Sequence, residues 1–169
     1  MSRIRGFSHL AVNTADLDRF RRFYCDVLGL EHLVTMKMEH PPHLRHAAIG
    51  VDDRCVLHVF EVPGYDPEAD GIGTDIGQRG RIDHFGLMVD DMADLEAVRD
   101  RLVASGASDG EIRPLGPVWS IRFCDPDGLA GEVNCALLGF DPGADDRETV
   151  EEMESTDWID RLAGAAGVS

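Results

Sequence analysis

The chain has 169 residues, about the size of one domain, and 43% of them are apolar, which is enough to bury one hydrophobic core. It carries 32 acidic and 16 basic side chains, so its formal net charge is −16. Because nucleic acids and anionic membranes bind clustered positive charge, we expect neither as a partner. Nine of the acidic side chains lie in residues 141–169, which we interpret as an acidic C-terminal tail.

The sequence contains no pattern typical of secretion or membrane insertion. No long apolar run follows the first residues, and no segment approaches the roughly 18 apolar residues that a transmembrane helix needs. The four cysteines include no Cys-x-x-Cys pair, and a chain of this size does not need disulfides to fold. We therefore expect reduced thiols and a cytoplasmic protein.

The first half of the chain is predicted to form a strand, a helix and three further strands. Alternating apolar residues predict a strand over Ile4–Val12. Asp16 is placed to cap an amphipathic helix, which Gly29 ends. The next strands are predicted at Glu31–Met38, Arg45–Val51 and Arg54–Val62. A polar, glycine-rich stretch over residues 63–80 is interpreted as a linker.

The second half is predicted to repeat this order. Arg81–Val89 has the pattern of a strand, and Asp91 caps a second helix that ends near Gly106. Three more strands are predicted at Glu111–Pro114, Val118–Cys124 and Ala130–Ala136. The residues Asp125-Pro126-Asp127-Gly128 have the composition of a type I turn between the last two of them.

The two halves also resemble each other in sequence. His9-Leu10-Ala11-Val12 precedes an Asp-Leu pair, and His84-Phe85-Gly86-Leu87 precedes an Asp-Met pair at the same distance. An internal repeat of this kind indicates two copies of one structural module. We therefore predict an α+β fold of two tandem βαβββ modules, about residues 4–62 and 81–138, which form a cupped mixed β-sheet.

Four residues with metal-binding side chains occupy equivalent positions of the two halves. His9 and His84 begin the first strand of each half, while His58 and Glu132 lie in the last; His58 follows His9 by 49 residues, and Glu132 follows His84 by 48. Because side chains alternate along a strand, all four are expected on the face opposite to the apolar one. Three imidazoles and a carboxylate suit one divalent transition metal, Fe, Mn, Co, Ni or Zn.

At these residues the sequence resembles the vicinal oxygen chelate superfamily, which includes glyoxalase I, fosfomycin-resistance proteins, methylmalonyl-CoA epimerase, bleomycin-binding proteins and extradiol dioxygenases. The resemblance covers about residues 4–138 and predicts a single glyoxalase-like domain over residues 1–140. It is carried by Phe7–Val12, Phe23–Gly29, Asp83–Leu87 and Phe123–Gly128 with the following Glu132.

The resemblance also implies a site and a mechanism. The metal positions of the family fall on His9, His58, His84 and Glu132, where the metal binds oxygens of a small-molecule substrate and stabilises an oxyanion. It further implies a homodimer, because modules of this family pair within or between chains. Whether His9 and His58 meet the other two ligands of the same chain or of its partner is left open.

The sequence departs from individual members of the family. Glyoxalase I usually has a glutamate where this chain has His58, so Glu132 is left as the candidate catalytic base. His9, His84 and Glu132 match the triad of extradiol dioxygenases, but Arg122 stands where those enzymes have a tyrosine. We therefore favour isomerase or lyase chemistry. The alternatives are an Fe(II)-dependent dioxygenase and a ligand- or drug-binding protein without catalysis.

Several other side chains are candidates for the same cavity. Arg122 either binds a substrate carboxylate or pairs with an acidic residue. Glu61 is a rival carboxylate to His58, although its strand position directs it to solvent or to the helix side. Three histidines are interpreted as a solvated loop, with a proton relay as the alternative: His40, His43 and His46. An apolar wall around the substrate is predicted from Phe7, Val56, Phe60, Met88 and Ala130.

Overall fold

A computed structural model of the chain describes residues 6–37, 45–66, 82–115 and 118–136. The predictions for most of the linker, for the acidic tail and for His40 and His43 lie outside these residues. The described residues group into two compact units. The first runs to Phe85 and includes Cys124–Ala130, and the second consists of Gly86–Phe123 with the residues from Gly131 onward.

The first sheet has the order of strands that the repeat predicts. It contains β1 (His9–Thr14), β2 (Glu31–Lys37), β3 (Arg45–Gly50) and β4 (Val56–Glu61) in the order β1-β4-β3-β2. The helix α1 (Leu17–Arg22) connects β1 to β2. Strand β1 pairs with β4 in parallel, while the other neighbours are antiparallel, so the sheet is mixed.

The second sheet repeats this arrangement. It contains β5 (Phe85–Val89), β6 (Ile112–Leu115), β7 (Val118–Cys124) and β8 (Ala130–Ala136) in the order β5-β8-β7-β6. The helix α2 (Met92–Ser105) follows β5. The prediction of an α+β fold built from two βαβββ modules is therefore confirmed. No helix in the described ranges is long and apolar enough to cross a membrane.

Local side-chain chemistry begins both helices as predicted. The Asp16 carboxylate accepts a hydrogen bond from the Arg19 N–H at 2.9 Å, and Asp91 accepts one from the Asp94 N–H at 2.9 Å. These bonds satisfy amides that have no partner within the first helical turn. Gly106 ends α2 in the left-handed conformation, with φ of 76°, which glycine adopts without a steric penalty.

The first helix is shorter than the sequence predicts. It becomes a π-helical turn over Phe23–Val27 instead of continuing regularly to Gly29. The widened turn accompanies the burial of two adjacent aromatic side chains, Phe23 and Tyr24. Spacing along the sequence does not reveal this change because it depends on what the helix packs against.

Three strands differ from the prediction by two or more residues at one end or both. Strand β1 begins at His9 and extends to Thr14, because its pairing with β4 continues to the partners Thr14 and Glu61. Strand β4 begins at Val56 rather than Arg54, because the Arg54 and Cys55 N–H groups donate hydrogen bonds to the Asp52 side chain. Strand β5 begins at Phe85 rather than Arg81.

The alternation of side chains agrees with the predicted core. Leu57, Val59 and Val133 are buried, and so are Ile121 and Phe123 of β7, which alternate with outward-facing residues. The helices add their apolar faces to the core: Leu17, Phe20, Tyr24, Leu95, Val98 and Leu102. Met92, which begins the first turn of α2, is exposed.

The turn after β7 anchors the start of the first helix. The Asp127 side chain accepts hydrogen bonds from the Thr14 hydroxyl at 2.6 Å, the Ala15 N–H at 3.2 Å and the Arg19 guanidinium at 2.6 Å. Both Thr14 and Asp127 are buried, so each of these polar groups depends on the other for its hydrogen bond. The turn residues were predicted only as a connection, and this anchoring role was missed.

A second carboxylate of the same turn extends the anchor into the core. Asp125 accepts hydrogen bonds from the Tyr24 hydroxyl at 3.0 Å and from the amides of Asp127 and Leu129 at 2.9 and 2.8 Å. Burial raises the pKa of Tyr24 well above its usual value, and the Asp125 carboxylate raises it further. The Tyr24 hydroxyl therefore stays protonated and keeps its role as a donor.

We expect Asp127→Ala to lower the free energy of unfolding by about 2–4 kcal/mol, because it leaves the Thr14 hydroxyl and the Arg19 guanidinium without their partner. Urea denaturation followed by circular dichroism measures this. Asp53→Ala is the matched control, since Asp53 is 83% exposed and should change stability by less than about 0.5 kcal/mol. Equal stability of the two variants would contradict the anchoring role.

Candidate metal centre

Parallel pairing places two of the predicted ligands side by side in the first unit. Ala11 of β1 pairs with His58 of β4, so His9 lies two residues along the same face of the sheet. The His9 and His58 ring centroids are 6.0 Å apart, with the rings nearly perpendicular. Ala11 on one side and Ala48 on the other flank His58 across the two neighbouring strands, and these small residues leave room for its ring.

A third imidazole contacts this pair. His46 of β3 is paired with Phe60, which makes it the diagonal neighbour of His58. The His46 Nδ1 and His58 Nε2 atoms are 2.9 Å apart and share a hydrogen bond, and the Phe60 ring stacks on His46. For His46 the interpretation as part of a solvated loop is therefore wrong, because strand pairing carries it onto the ligand face.

The surroundings favour the neutral form of His58. Burial lowers the pKa of His58 below its usual value, and the neighbouring His46 and His9 rings lower it further. A neutral imidazole keeps a nitrogen lone pair, which is the form that binds a metal ion. His58 is thus suited to coordination at neutral pH without first losing a proton.

The first-strand histidines are each held by the residue before them. The Asp83 carboxylate accepts a hydrogen bond from the Nδ1–H of His84 at 2.7 Å, and the Ser8 hydroxyl lies 3.0 Å from Nδ1 of His9. An ionised carboxylate can only accept, so the proton of this hydrogen bond lies on Nδ1 of His84, and Nε2 is the ring nitrogen left to face a metal ion. A carboxylate behind an imidazole is a common arrangement at metal sites.

In the second unit, Glu132 of β8 lies on the face where it was predicted. Its Oε2 accepts a hydrogen bond from the Ser120 hydroxyl at 3.0 Å, and its Oε1 accepts one from the Asn134 amide at 3.1 Å. Gly86 of β5 leaves the space that this pair needs, because a Cβ there would come within 2.9 Å of the Asn134 nitrogen. The local packing thus fixes the carboxylate.

The donor chemistry of the four predicted ligands fits a transition metal, since nitrogen and carboxylate oxygen ligands are the usual set for Zn, Mn, Fe, Ni and Co. The structure brings His9 and His58 together in the first unit, and it describes Glu132 in the second. In the part of the chain that is described, no three His, Cys, Asp or Glu side chains form a group arranged to hold a metal. The joint site of His9, His58, His84 and Glu132 therefore stays a prediction.

The candidate substrate contacts lie on the same faces as the predicted ligands. Phe60 packs against His58, with ring centroids 4.4 Å apart, and Met88 is 58% exposed. Arg122 is exposed on β7 and lines a small cleft of the second unit with Ser120, Arg113 and Glu111. Ser120 is buried and shares the face of Arg122, as the alternation predicts. The substrate roles of Arg122, Phe60 and Met88 stay a prediction.

Glu61 is committed to a different contact. Its carboxylate accepts two hydrogen bonds from the Arg45 guanidinium at 2.8 and 2.6 Å and one from the Leu17 N–H at the start of α1. Because Glu61 is three residues from His58 on one strand, the two side chains lie on opposite faces. The expectation that Glu61 faces the helix side agrees with this geometry.

Comparison with known proteins identifies the family. The model of the Glyoxalase/Bleomycin resistance protein/Dioxygenase superfamily matches residues 6–133, and the chain belongs to this superfamily. Comparison of the sequence with curated proteins finds no match.

Solved structures of the same superfamily are similar to this chain. A glyoxylase/bleomycin resistance protein/dioxygenase domain from Frankia sp. EAN1pec is 26% identical, with a TM-score of 0.65, over 82% of this chain and 96% of that one. The fosfomycin resistance protein FosX from Listeria monocytogenes, solved with Mn(II) and sulfate, is 18% identical, with a TM-score of 0.56, over 80% and 96% of the two chains. TnmS3, an antibiotic-binding protein from Streptomyces sp. CB03234, is 17% identical, with a TM-score of 0.58, over 81% and 100%. FosX and TnmS3 show the fold alone.

We expect Glu61→Gln to change the acid stability of the protein and not its metal binding. The Arg45 guanidinium holds the pKa of Glu61 below its usual value of 4.5, so the pair stabilises the folded state above that pH and loses this contribution as the pH falls through the lower folded pKa. Denaturation between about pH 5 and pH 3 should show a smaller loss of stability in the variant. Loss of metal binding by Glu61→Gln would instead make Glu61 a ligand.

Proposed function

We propose that the protein is a metal-dependent enzyme of the vicinal oxygen chelate type, which acts on a small oxygenated organic molecule by isomerase or lyase chemistry. The ligands are His9, His58, His84 and Glu132, and they hold one divalent transition metal. The observation that carries the proposal is the pair of His9 and His58, whose rings lie 6.0 Å apart on one sheet face. The equivalent strand of the second module carries the Glu132 carboxylate.

The metal and the protein have separate tasks in this reaction. When bound, the metal supplies Lewis-acid stabilisation of negative charge on a substrate oxygen. Glu132 is assigned as the base that accepts a proton from the substrate carbon next to that oxygen. Ser120 and Asn134 donate hydrogen bonds to its two oxygens. Because the carboxylate is already oriented, it loses less conformational entropy when it accepts the proton.

Substrate binding is assigned to three further side chains. The planar guanidinium of Arg122 can bind a carboxylate through two parallel hydrogen bonds, and within the described residues no ion pair occupies it. Phe60 and Met88 supply apolar surface beside the polar ligands, which is the usual composition of a small-molecule site.

We extend the proposal to a cytoplasmic homodimer. The four cysteines are free thiols, which supports a reducing compartment: Cys25, Cys55, Cys124 and Cys135. The dimer follows from the superfamily, in which modules pair within or between chains.

Metal titration of the apoprotein tests the proposal. We expect about one equivalent of Zn²⁺, Ni²⁺, Co²⁺, Mn²⁺ or Fe²⁺ to bind, and His58→Ala or Glu132→Gln to weaken the binding by on the order of 100-fold, because each removes a direct ligand. His32→Ala is the matched control, since His32 lies on β2 and bonds Thr35 instead. A wild-type protein that binds none of these metals would contradict the proposal.

Two alternative functions make different predictions. The Fe(II)-dependent dioxygenase, for which His9, His84 and Glu132 would form the triad, predicts oxygen uptake when the anaerobically loaded protein meets its substrate. A ligand- or drug-binding role without catalysis predicts ligand binding that survives replacement of all four predicted metal ligands by alanine. The enzyme that we propose shows neither behaviour.

A further inference from the structure

The predicted ligands on the last strand of each module have hydrogen-bond partners at the same spacing. His46 bonds His58 at 2.9 Å, and Ser120 bonds Glu132 at 3.0 Å; in each case the partner lies twelve residues earlier. His46 lies on β3, which pairs antiparallel with β4, and Ser120 lies on β7, which is next to β8 in the second sheet. The same position of the repeat therefore contacts the ligand in both modules.

The ligands on the first strands show a second repeated contact. Ser8 lies 3.0 Å from Nδ1 of His9, and Asp83 lies 2.7 Å from Nδ1 of His84. In each case the partner is the residue directly before the histidine. The contacts therefore involve all four predicted ligands, although the partners are chemically different: serine, histidine, aspartate and serine.

Because these hydrogen bonds recur at the same positions of both modules, we infer that their role does not require one particular residue type. A hydrogen bond to the ring nitrogen that does not bind the metal fixes which nitrogen carries the proton and how the ring is oriented. A hydroxyl on one carboxylate oxygen limits rotation of that carboxylate in the same way. Serine, histidine and aspartate can all make such a bond, so the repeat preserves the contact while the residue changes.

The packing around His46 supports this role. Phe60 stacks on the His46 ring, with centroids 5.6 Å apart and planes inclined by 28°, and it also contacts His58. Ala48, directly opposite His58, leaves the space through which the two imidazoles meet. Because this contact engages Nε2 of His58, the ring nitrogen left for a metal ion is Nδ1.

We propose that Ser8, His46, Asp83 and Ser120 are positioning residues that orient the four metal ligands through contacts repeated in both modules. The proposal rests on the proposed function for the metal itself. Its structural part concerns the metal-free protein, in which these hydrogen bonds already hold His9, His58, His84 and Glu132. Each ligand side chain is thus oriented before any metal arrives, and binding costs less conformational entropy.

Three variants remove these bonds while sparing the ligands: His46→Leu, Asp83→Ala and Ser120→Ala. We expect each to weaken metal binding by roughly 10- to 100-fold, the range typical for partners behind metal ligands. Asp83→Asn, which keeps an oxygen that can accept the Nδ1–H, should restore most of the loss. His32→Leu and Ser105→Ala are matched controls, because neither residue contacts a predicted ligand.

Nitrogen NMR of the metal-free protein gives a readout that does not require metal. We expect His84 in the wild type to show a single tautomer with the proton on Nδ1, and Asp83→Ala to show a mixture. The signals of His58 should change in His46→Leu and stay unchanged in His32→Leu. Unchanged tautomers in Asp83→Ala and unchanged His58 signals in His46→Leu would overturn the proposal.

The outcomes separate this proposal from the proposed function. Metal affinities within about twofold of the wild type in all three variants, together with loss of binding in His58→Ala, would overturn the positioning role and leave the metal site standing. A wild type that binds no metal would contradict the proposed function. The tautomers of His58 and His84 would then decide the positioning role alone.

Discussion

The parallel pairing of β1 with β4 is the constraint on which the candidate site depends. With Ala11 opposite His58, the pleat directs His9 and His58 to one face and directs Leu57 into the core. A slip of one residue in β1 would turn His9 to the core face and the apolar side chains of β1 away from it, so the hydrophobic core itself specifies the register of the ligands. Burial of the core and presentation of the candidate metal ligands are therefore two results of one pairing.

Contacts distant in sequence keep this pairing in place. Asp127, from the turn after β7, bonds Thr14 at the end of β1, and Glu61 at the end of β4 bonds Arg45 and the first turn of α1. Both carboxylates make these hydrogen bonds on the side of the sheet that faces the helix. The opposite face is left for the histidines, and Glu61, the rival carboxylate, bonds Arg45 and the start of α1 instead.

Local chemistry explains what could be predicted from the sequence. The bounds of β7 and β8 follow from strict alternation, and the helix starts follow from the carboxylates of Asp16 and Asp91. The π-helical turn and the contact of His46 with His58 could not be predicted, because both depend on which segments pack together. The twelve-residue spacing between partner and ligand recurs in both modules, but it acquires meaning only once the hydrogen bonds of His46 and Ser120 are known.

The central claim is that His9, His58, His84 and Glu132 bind one metal ion, and anomalous diffraction from crystals grown with Zn²⁺ or Ni²⁺ tests it most directly. The account predicts one strong peak at about 2.0–2.2 Å from a nitrogen of each histidine and an oxygen of Glu132. The same map shows whether the ligands come from one chain or from two. A peak that fewer than three of these side chains contact, or no peak at all, would contradict the account.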